Sequence, residues 1–324
     1  MQCAMPADRS IVERLFLPTP FPVGPVNAYL VHGDPPALID VGVKGKKACA
    51  ALEHELQSRG LVPSDLGAIL ITHAHFDHSG AAVALAEEGG TPVYCHYLAG
   101  RDRTQAEQQA FYELIERCGA PERLLRGLNS MYRFGSAFGD PLGQAGDLRV
   151  IDDGDRVRAG DLELEVLHTP GHAPDHLCFL AREQGLLFCG DLLLESITPN
   201  PLPHFDPEHD RGRVPSLPLY LESLDRVEAL GPLQGLTGHG GELPDTAATA
   251  RSNRTHIEGR TEIVLRACRA RPGATVFELS EVLFDSPDRG TVFLALSETI
   301  AHLDRLEVLG LVRVGAESGR VEVS

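Results

Sequence analysis

Four potential metal ligands crowd into one six-residue stretch of the chain: His73, His75, Asp77 and His78. The continuous apolar run directly before them, GAILIT at residues 67–72, predicts a buried strand. Side chains at these spacings cannot all converge from a regular strand or helix, so we expect them on a loop where that strand ends. Three imidazoles and one carboxylate are donors that suit zinc, iron or manganese. The chain must therefore bring this loop to the edge of a sheet.

Three single residues of the same kind follow other predicted strands. His172 closes the segment TPGH after the strand LEVLH, Asp191 follows the strand GLLF, and His239 follows GLT. Each has a glycine directly before it, and glycine permits a tight turn and a close backbone approach. We therefore expect all four groups of ligands along one edge of the predicted sheets.

The pattern H-x-H-x-D-H followed by single His, Asp and His resembles the metallo-beta-lactamase superfamily of metal-dependent hydrolases. Every ligand of that pattern is present, and the resemblance covers roughly residues 20–245. It implies an α/β fold, the αββα metallo-beta-lactamase sandwich, with a binuclear metal site.

The resemblance also divides the ligands between two metal ions that share one carboxylate. The first ion would be held by His73, His75 and His172. The second would be held by Asp77, His78 and His239, with Asp191 as the bridge. Asp40, in the segment LIDVG, matches an early aspartate of the family and would orient a ligating imidazole from outside the ligand set.

The chemistry of such a site follows from its two metals. Two ions about 3.5–4 Å apart lower the pKa of a shared water, so that a bridging hydroxide attacks a carbonyl or phosphorus centre. Asp77 would be the catalytic carboxylate, which orients the hydroxide or carries the proton to the leaving group. Zinc is the expected metal, and iron or manganese are alternatives because a His/Asp site accepts all three.

His176 lies four residues after His172 and has two interpretations. It reaches the site as a proton relay or substrate contact, or it makes a structural hydrogen bond beside the ligands. The sequence favours the structural interpretation.

The chain divides into two predicted domains. Residues 1–245 form the catalytic domain, with a helical insert at about 98–148 that contains helices near 104–118 and 121–133. A proline-rich stretch at 196–218 predicts an extended loop. Residues 246–324 predict helices followed by a closing β-hairpin, which resembles a winged-helix module.

The charge of the chain argues against nucleic acid as a partner. Acidic residues outnumber basic ones, 46 to 29, and the net charge of −17 repels phosphate backbones. Residues 251–324 contain ten Arg and eleven Asp or Glu, without the overall basic balance of a nucleic-acid module. We expect this segment to serve packing, homodimerisation or closure of the active-site mouth.

The sequence also indicates a compartment. It shows neither a signal peptide nor 18 consecutive apolar residues, so we expect a cytoplasmic protein without a membrane contact. Its seven cysteines include no C-x-x-C pair, which is typical of reduced thiols.

The leading functional hypothesis is a binuclear metal-dependent hydrolase of a small acyl substrate: a thioester, lactone or ester. Antibiotic hydrolysis is disfavoured because true β-lactamases of the superfamily generally carry Cys or Ser where this chain has Asp191. Three alternatives stay open: a metal-dependent single-strand ribonuclease, a mononuclear iron oxygenase on the same fold, and a binding domain whose metal site is only structural.

Overall fold

The computed structural model describes residues 11–100, 105–126, 136–205, 213–285, 291–316 and 318–324. The predicted helix near 121–133 is helical over residues 122–126, and its remainder lies outside the described residues. The predicted helix near 104–118 corresponds to helix α4 (Gln105–Arg117).

One mixed sheet contains the first six strands in sequence order. Its first three strands run antiparallel, and β3 through β6 run parallel. The strands are β1 (Val12–Leu17), β2 (Val26–Val31), β3 (Ala37–Ile39), β4 (Ala68–Leu70), β5 (Val93–Cys95) and β6 (Leu148–Val150). The first strand is absent from our sequence interpretation, since only two of its six side chains are buried and its apolar signal is weak.

A second sheet has the order β13-β10-β9-β8-β7. Its strands are β7 (Arg156–Ala159), β8 (Leu162–His168), β9 (Leu177–Ala181), β10 (Leu186–Gly190) and β13 (Gln234–Thr237). Strand β13 runs parallel to β10, and the other neighbours are antiparallel. Strands β8, β10 and β13 therefore end at the same edge of this sheet.

Apolar clusters show how the layers stack. Leu52 and Leu56 of helix α1 (Lys46–Gln57) pack with Leu30 and Ile69 on the outer face of the first sheet. Between the sheets, side chains such as Leu70 on one side and Phe179 on the other share a buried cluster. The next helices are α2 (Phe76–Ser79) and α3 (Ala82–Gly89).

Helices also cover the second sheet. Tyr220 and Leu224 of α5 (Ser216–Ala229) pack with Leu180 and Leu187 of the sheet. The layers thus run helix, sheet, sheet, helix, which is the α/β metallo-beta-lactamase fold that the resemblance implied.

The proline-rich stretch at 196–218 differs from the predicted extended loop in two places. Two short strands, β11 (His204–Phe205) and β12 (Arg213–Val214), pair within it. Helix α5 begins at Ser216, so the predicted loop ends before residue 218. Pro218 lies in the first turn of this helix, where the missing N–H forfeits no intrahelical bond.

The C-terminal segment contains helices α6 (Thr246–Ala270), α7 (Val276–Leu283) and α8 (Val292–Val308), then strands β14 (Val312–Val314) and β15 (Val321–Val323). Its apolar cluster includes side chains of the insert helix α4, among them Leu114 and Ile115 packed with Leu296 and Ile300. The boundary at residue 245 stays a prediction. None of the helices in the described ranges combines the length and apolar character that crossing a membrane requires.

Candidate metal centre

The fold brings every predicted ligand to one edge of the sandwich. The loop with His73, His75, Asp77 and His78 follows β4, and the three single ligands follow β8, β10 and β13. Since these strands end at a common edge, the side chains converge although they are up to 166 positions apart in the sequence. Three overlapping groups of donor atoms result.

The first group consists of three imidazole nitrogens. His75 Nδ1 lies 2.9 Å from His73 Nε2 and 3.1 Å from His172 Nε2. The Nδ1 of His172 donates to the main-chain oxygen of Asn200 at 2.9 Å, so its Nε2 carries a lone pair. His75 Nδ1 thus lies at hydrogen-bond distance from two other ring nitrogens. Three nitrogen lone pairs that face one another bind a cation better than a single shared proton.

The tautomer of His73 is fixed by its neighbour. The hydroxyl of Thr72 donates to Asp40 Oδ2 at 2.8 Å, which leaves the hydroxyl oxygen to accept from His73 Nδ1 at 3.1 Å. The Nε2 of His73 is then bare and points into the group. A hydrogen bond on the outer nitrogen is the usual companion of metal ligation by the inner one.

The second group has the same construction. The Nδ1 of His78 donates to Asp40 Oδ2 at 2.7 Å, and the Nδ1 of His239 donates to the main-chain oxygen of Pro25 at 2.8 Å. Both Nε2 atoms are buried without a hydrogen-bond partner. Asp77 Oδ2 lies 3.4 Å from His239 Nε2. Buried polar atoms without a hydrogen-bond partner carry a free-energy penalty that a bound metal ion would remove.

Asp191 lies between the two groups. Its Oδ1 is 3.5 Å from His78 Nε2, and its Oδ2 is 3.7 Å from both His172 Nε2 and His239 Nε2. The Oδ1 atom is also buried without a hydrogen-bond partner. One carboxylate therefore lies within 3.7 Å of a ring nitrogen in each group.

Burial and neighbouring charges shift the pKa values of the ligands. Burial would raise the pKa of Asp191, but the imidazoles of His78, His239 and His172 hold it below its ordinary value. Burial would lower the pKa of His78, but Asp191 and Asp40 raise it well above the ordinary value. Burial and neighbouring imidazoles lower the pKa of His73 well below its ordinary value. Asp191 is ionised and His73 is neutral, the forms that bind metal, whereas Asp191 and Asp40 favour a proton on His78 that a metal ion would displace.

Asp40 is held in an unusual backbone conformation. Its φ is 57°, in the left-handed region that non-glycine residues seldom adopt, although aspartate tolerates it better than most. The side chain is buried and its two oxygens accept from the main-chain nitrogen and hydroxyl of Thr72 and from His78. The backbone strain thus accompanies a carboxylate that orients the ligand loop.

His176 is held beside the ligands by two hydrogen bonds. It is fully buried, its Nδ1 pairs with the Thr169 hydroxyl at 2.9 Å, and its Nε2 accepts from the main-chain nitrogen of Asp191 at 3.1 Å. These contacts fit the structural interpretation, and the interpretation as a proton relay or substrate contact stays a prediction. Its neighbour Asp175 accepts from the main-chain nitrogen of Ala74 at 2.6 Å, within the ligand loop.

The turn that carries His239 is stabilised by residues that our sequence analysis missed. Asn27 Nδ2 donates to the main-chain oxygens of Thr237 and Gly240 at 2.9 and 3.1 Å, and the Tyr29 hydroxyl donates to Thr237 at 2.7 Å. The available signal was a lone amide in the otherwise apolar strand VNAYLV. These bonds join the two sheets at the site.

The helical insert also reaches this edge. The ring of Phe138 contacts that of Phe21 edge-on, with 5.6 Å between the ring centroids. The main-chain oxygen of Phe138 accepts a hydrogen bond from the main-chain nitrogen of Lys44 at 2.6 Å. The Lys44 side chain pairs with Asp140 at 2.6 Å. The insert is thus docked beside the helix α2 that carries Asp77.

One further donor group, unforeseen from the sequence, contains His96, Asp152 and His168. The two rings stack at 4.2 Å between centroids with 12° between their planes. Lone pairs in parallel planes do not point at one ion, so this geometry disfavours a metal. Burial and the neighbouring His168 lower the pKa of His96 to about 4, which keeps its ring neutral near pH 7.

Comparisons with known proteins agree with this geometry. Residues 21–239 match the family described as the metallo-beta-lactamase superfamily. The chain is 32% identical over 308 residues to the probable metallo-hydrolase YqjP of Bacillus subtilis (strain 168), which covers 90% of each protein. It is 26% identical over 273 residues to the atrochrysone carboxyl ACP thioesterase of Aspergillus fumigatus, covering 80% of this chain and 68% of the relative.

A solved structure resembles nearly the whole chain. The metallo-beta-lactamase family protein TTHA1429 of Thermus thermophilus superposes with a TM-score of 0.84 at 31% identity, over 97% of this chain and 99% of that protein. The similarity therefore extends past residue 239 into the C-terminal helices.

Proposed function

Since the chain belongs to the metallo-beta-lactamase superfamily and is a metal-dependent hydrolase, we propose that it uses two divalent metal ions to hydrolyse a small acyl substrate: a thioester, lactone or ester. Zinc is the proposed metal, with iron and manganese as alternatives. In this proposal His73, His75 and His172 would hold one ion, and Asp77, His78 and His239 would hold the other, with Asp191 as the shared ligand.

The position of Asp191 carries this proposal. One buried carboxylate has an oxygen 3.5 Å from His78 Nε2 and another 3.7 Å from His172 Nε2, so both donor groups can share it. The Nε2 atoms of His78 and His239 support it further, because neither has a hydrogen-bond partner among the described residues.

When bound, the two ions supply Lewis acidity that lowers the pKa of a shared water and stabilises the oxyanion of the acyl transition state. Burial opposes ionisation of Asp77, but His239 and His78 hold the pKa of this carboxyl below its ordinary value. Asp77 is therefore ionised at neutral pH, the form that can hold a cation and accept a hydrogen bond from a water, and in the reaction it would relay the proton of that water to the leaving group. Asp40 keeps the His78 ring in the ligating tautomer throughout.

Two observations support an acyl substrate. The A. fumigatus relative is named a thioesterase. The rings of Phe21 and Phe138, both partly buried, add apolar surface on the side of α2, which suits an acyl chain. The bridging position is an aspartate, which disfavours β-lactam hydrolysis.

The experiment that tests this proposal is elemental mass spectrometry of the purified chain together with Asp191→Asn. We expect about two metal ions per wild-type chain and hydrolysis of model thioesters, lactones or esters. Asp191→Asn keeps the shape but lowers the charge between the ions, so we expect fewer than two ions and at least a 100-fold lower kcat/KM. Glu183→Gln, which removes an exposed carboxylate in the turn between β9 and β10 at the far end of that sheet, is the control.

Several results would count against the proposal. A single iron per wild-type chain would indicate an oxygenase, and absence of metal uptake after reconstitution would indicate a binding domain. An Asp191→Asn variant with both ions and full activity would contradict the bridging role.

The ribonuclease alternative receives less support. We propose that residues 246–324 form a winged helix, because three helices are followed by the β14–β15 hairpin. Within α6, however, Arg251, Arg254 and Arg260 pair with acidic side chains of this same chain. Arginines already neutralised in this way offer a weak phosphate-binding face.

A further inference from the structure

In His73, His78, His172 and His239 the ring nitrogen Nδ1, which faces away from the donor groups, makes a hydrogen bond to an outer partner. The outer partner of His172 lies in a different part of the molecule from the other three. The outer partners of His73, His78 and His239 all belong to the first sheet or to the loops that follow its strands. His172 donates instead to the main-chain oxygen of Asn200, on the loop that follows β10. The orientation of one ligand therefore depends on where this loop lies.

The loop is held from its far side by the C-terminal helices. Asn200 Nδ2 donates to the main-chain oxygen of Leu294 in α8 at 2.9 Å. Two residues earlier, the Thr198 hydroxyl donates to Asn253 Oδ1 in α6 at 3.3 Å. Both partners lie outside residues 21–239, the range that matches the family.

Packing alone does not fix this loop. A cavity of about 30 Å³ separates residues 198–201 from α5, α6 and α8, with Leu217 and Ile257 among its walls. A space of that size holds about one water and no side chain. Pro199 and Pro201 are buried, so packing also holds the loop, and the hydrogen bonds of Thr198 and Asn200 add directional contacts to α6 and α8.

Resting on the proposed ligation of a metal by His172, we infer that Asn200 is a positioning residue that ties helix α8 to the metal centre. Its side-chain amide fastens the loop to Leu294, and its main-chain carbonyl holds the His172 ring in the tautomer that presents Nε2 to the metal. Two hydrogen bonds in series thus connect the C-terminal segment with a ligand, although the described residues of that segment supply no ligand of their own.

The test is the affinity of each metal equivalent in Asn200→Ala and Asn200→Asp, measured with zinc in competition with a chromophoric chelator. Both substitutions keep the main-chain carbonyl and remove the donor to Leu294; Asn200→Asp also preserves the shape. We expect one of the two zinc equivalents to weaken by about 10-fold or more, the scale on which lost outer partners act. The other equivalent should keep its wild-type affinity.

Arg251→Ala is the matched control, because it removes an exposed ion pair between α6 and α5 without touching the loop. It should leave both equivalents unchanged, and the metal-free forms of all three variants should melt within a few degrees of the wild type. Wild-type affinities in both Asn200 variants, or equal weakening in Arg251→Ala, would overturn the inference.

Failure of the proposed function gives a different result. A wild-type chain that binds one zinc contradicts the binuclear proposal. The inference about Asn200 then still stands if Asn200→Ala weakens that one equivalent, and falls if it does not.

Discussion

At the scale of single residues, the site consists of acceptors that face one another and donors that face outward. His78 illustrates the principle: its Nδ1 donates a hydrogen bond to Asp40, and its Nε2 faces Asp191 with no hydrogen-bond partner among the described residues. Asp40 in turn adopts a φ of 57°, a conformation costing about 1 kcal/mol or more that the rest of the fold must offset. Metal affinity at this site therefore depends on residues that never touch the metal.

The ligand types could be predicted from sequence because metal chemistry restricts them to a few side chains at strand ends. The supporting residues were harder to foresee. Asn200 acts through its main-chain oxygen, which every residue possesses, so its type contains no signal of that role. Asp175 and His176 contact backbone atoms of the ligand loops, and this depends on a turn geometry that the sequence alone does not define.

His302 provides a prediction about pH at this scale. Burial, together with the nearby Arg260 and Arg305, lowers its pKa to about 3, so the folded state holds the neutral ring. The unfolded chain binds a proton below about pH 6.5, and stability must therefore fall as the pH drops from 6.5 toward 3. For this group the loss is up to about 1.4 kcal/mol per pH unit.

Urea denaturation from pH 7 to pH 5 checks this expectation by comparing His302→Gln with the wild type. The variant should lose less stability on acidification, whatever its stability at pH 7. His54→Gln, at an exposed position on α1, should follow the wild-type slope. Equal slopes in all three proteins would show that His302 does not stay neutral in the folded state.

At the scale of secondary-structure elements, the short β11–β12 pair anchors the proline-rich stretch. Arg213 on β12 forms an ion pair with Asp304 of α8, and both side chains are largely buried. Phe205 on β11 packs edge-on against Phe111 of α4. Helix α1 and the apolar strands could be predicted from periodicity, whereas β11 and β12 have two residues each and depend on these tertiary contacts.

Removal of one partner of this ion pair should be costly. We expect Arg213→Ala to lower the free energy of unfolding by about 3 kcal/mol or more, because Asp304 then keeps a buried charge without its cation. The double variant Arg213→Met with Asp304→Leu should recover most of that loss. Urea denaturation of the metal-loaded proteins measures both, and a single variant within about 1 kcal/mol of the wild type would contradict the expected cost.

At the scale of the whole molecule, the metal centre lies where the two sheets meet. Its ligands come from loops of both sheets, so bound metal ions would join the two halves of the sandwich. The αββα fold could be predicted because the ligand pattern is specific. The association of the insert with the C-terminal helices could not, since apolar positions in α4 do not reveal which surface covers them.

Metal removal should therefore destabilise the complete chain. A metal present at about 1,000 times its Kd adds about 4 kcal/mol to the folded state, and chelation should remove that contribution. Differential scanning calorimetry should show a lower melting temperature in the chelated wild type, restored when zinc is returned. Asp191→Asn should show a smaller difference between its loaded and chelated forms, and an unchanged wild-type melting temperature would rule out the expected linkage.

The cluster shared by α4 and the C-terminal helices has a consequence for how such a chain changes over evolutionary time. Leu114 and Ile115 are covered by Leu296 and Ile300, although about 180 positions separate them. A descendant that lost the insert or the C-terminal helices and retained the other would expose an apolar surface and tend to aggregate. The two segments should therefore be inherited, transplanted or deleted as a pair, and an engineer who grafts one onto a related hydrolase must graft both.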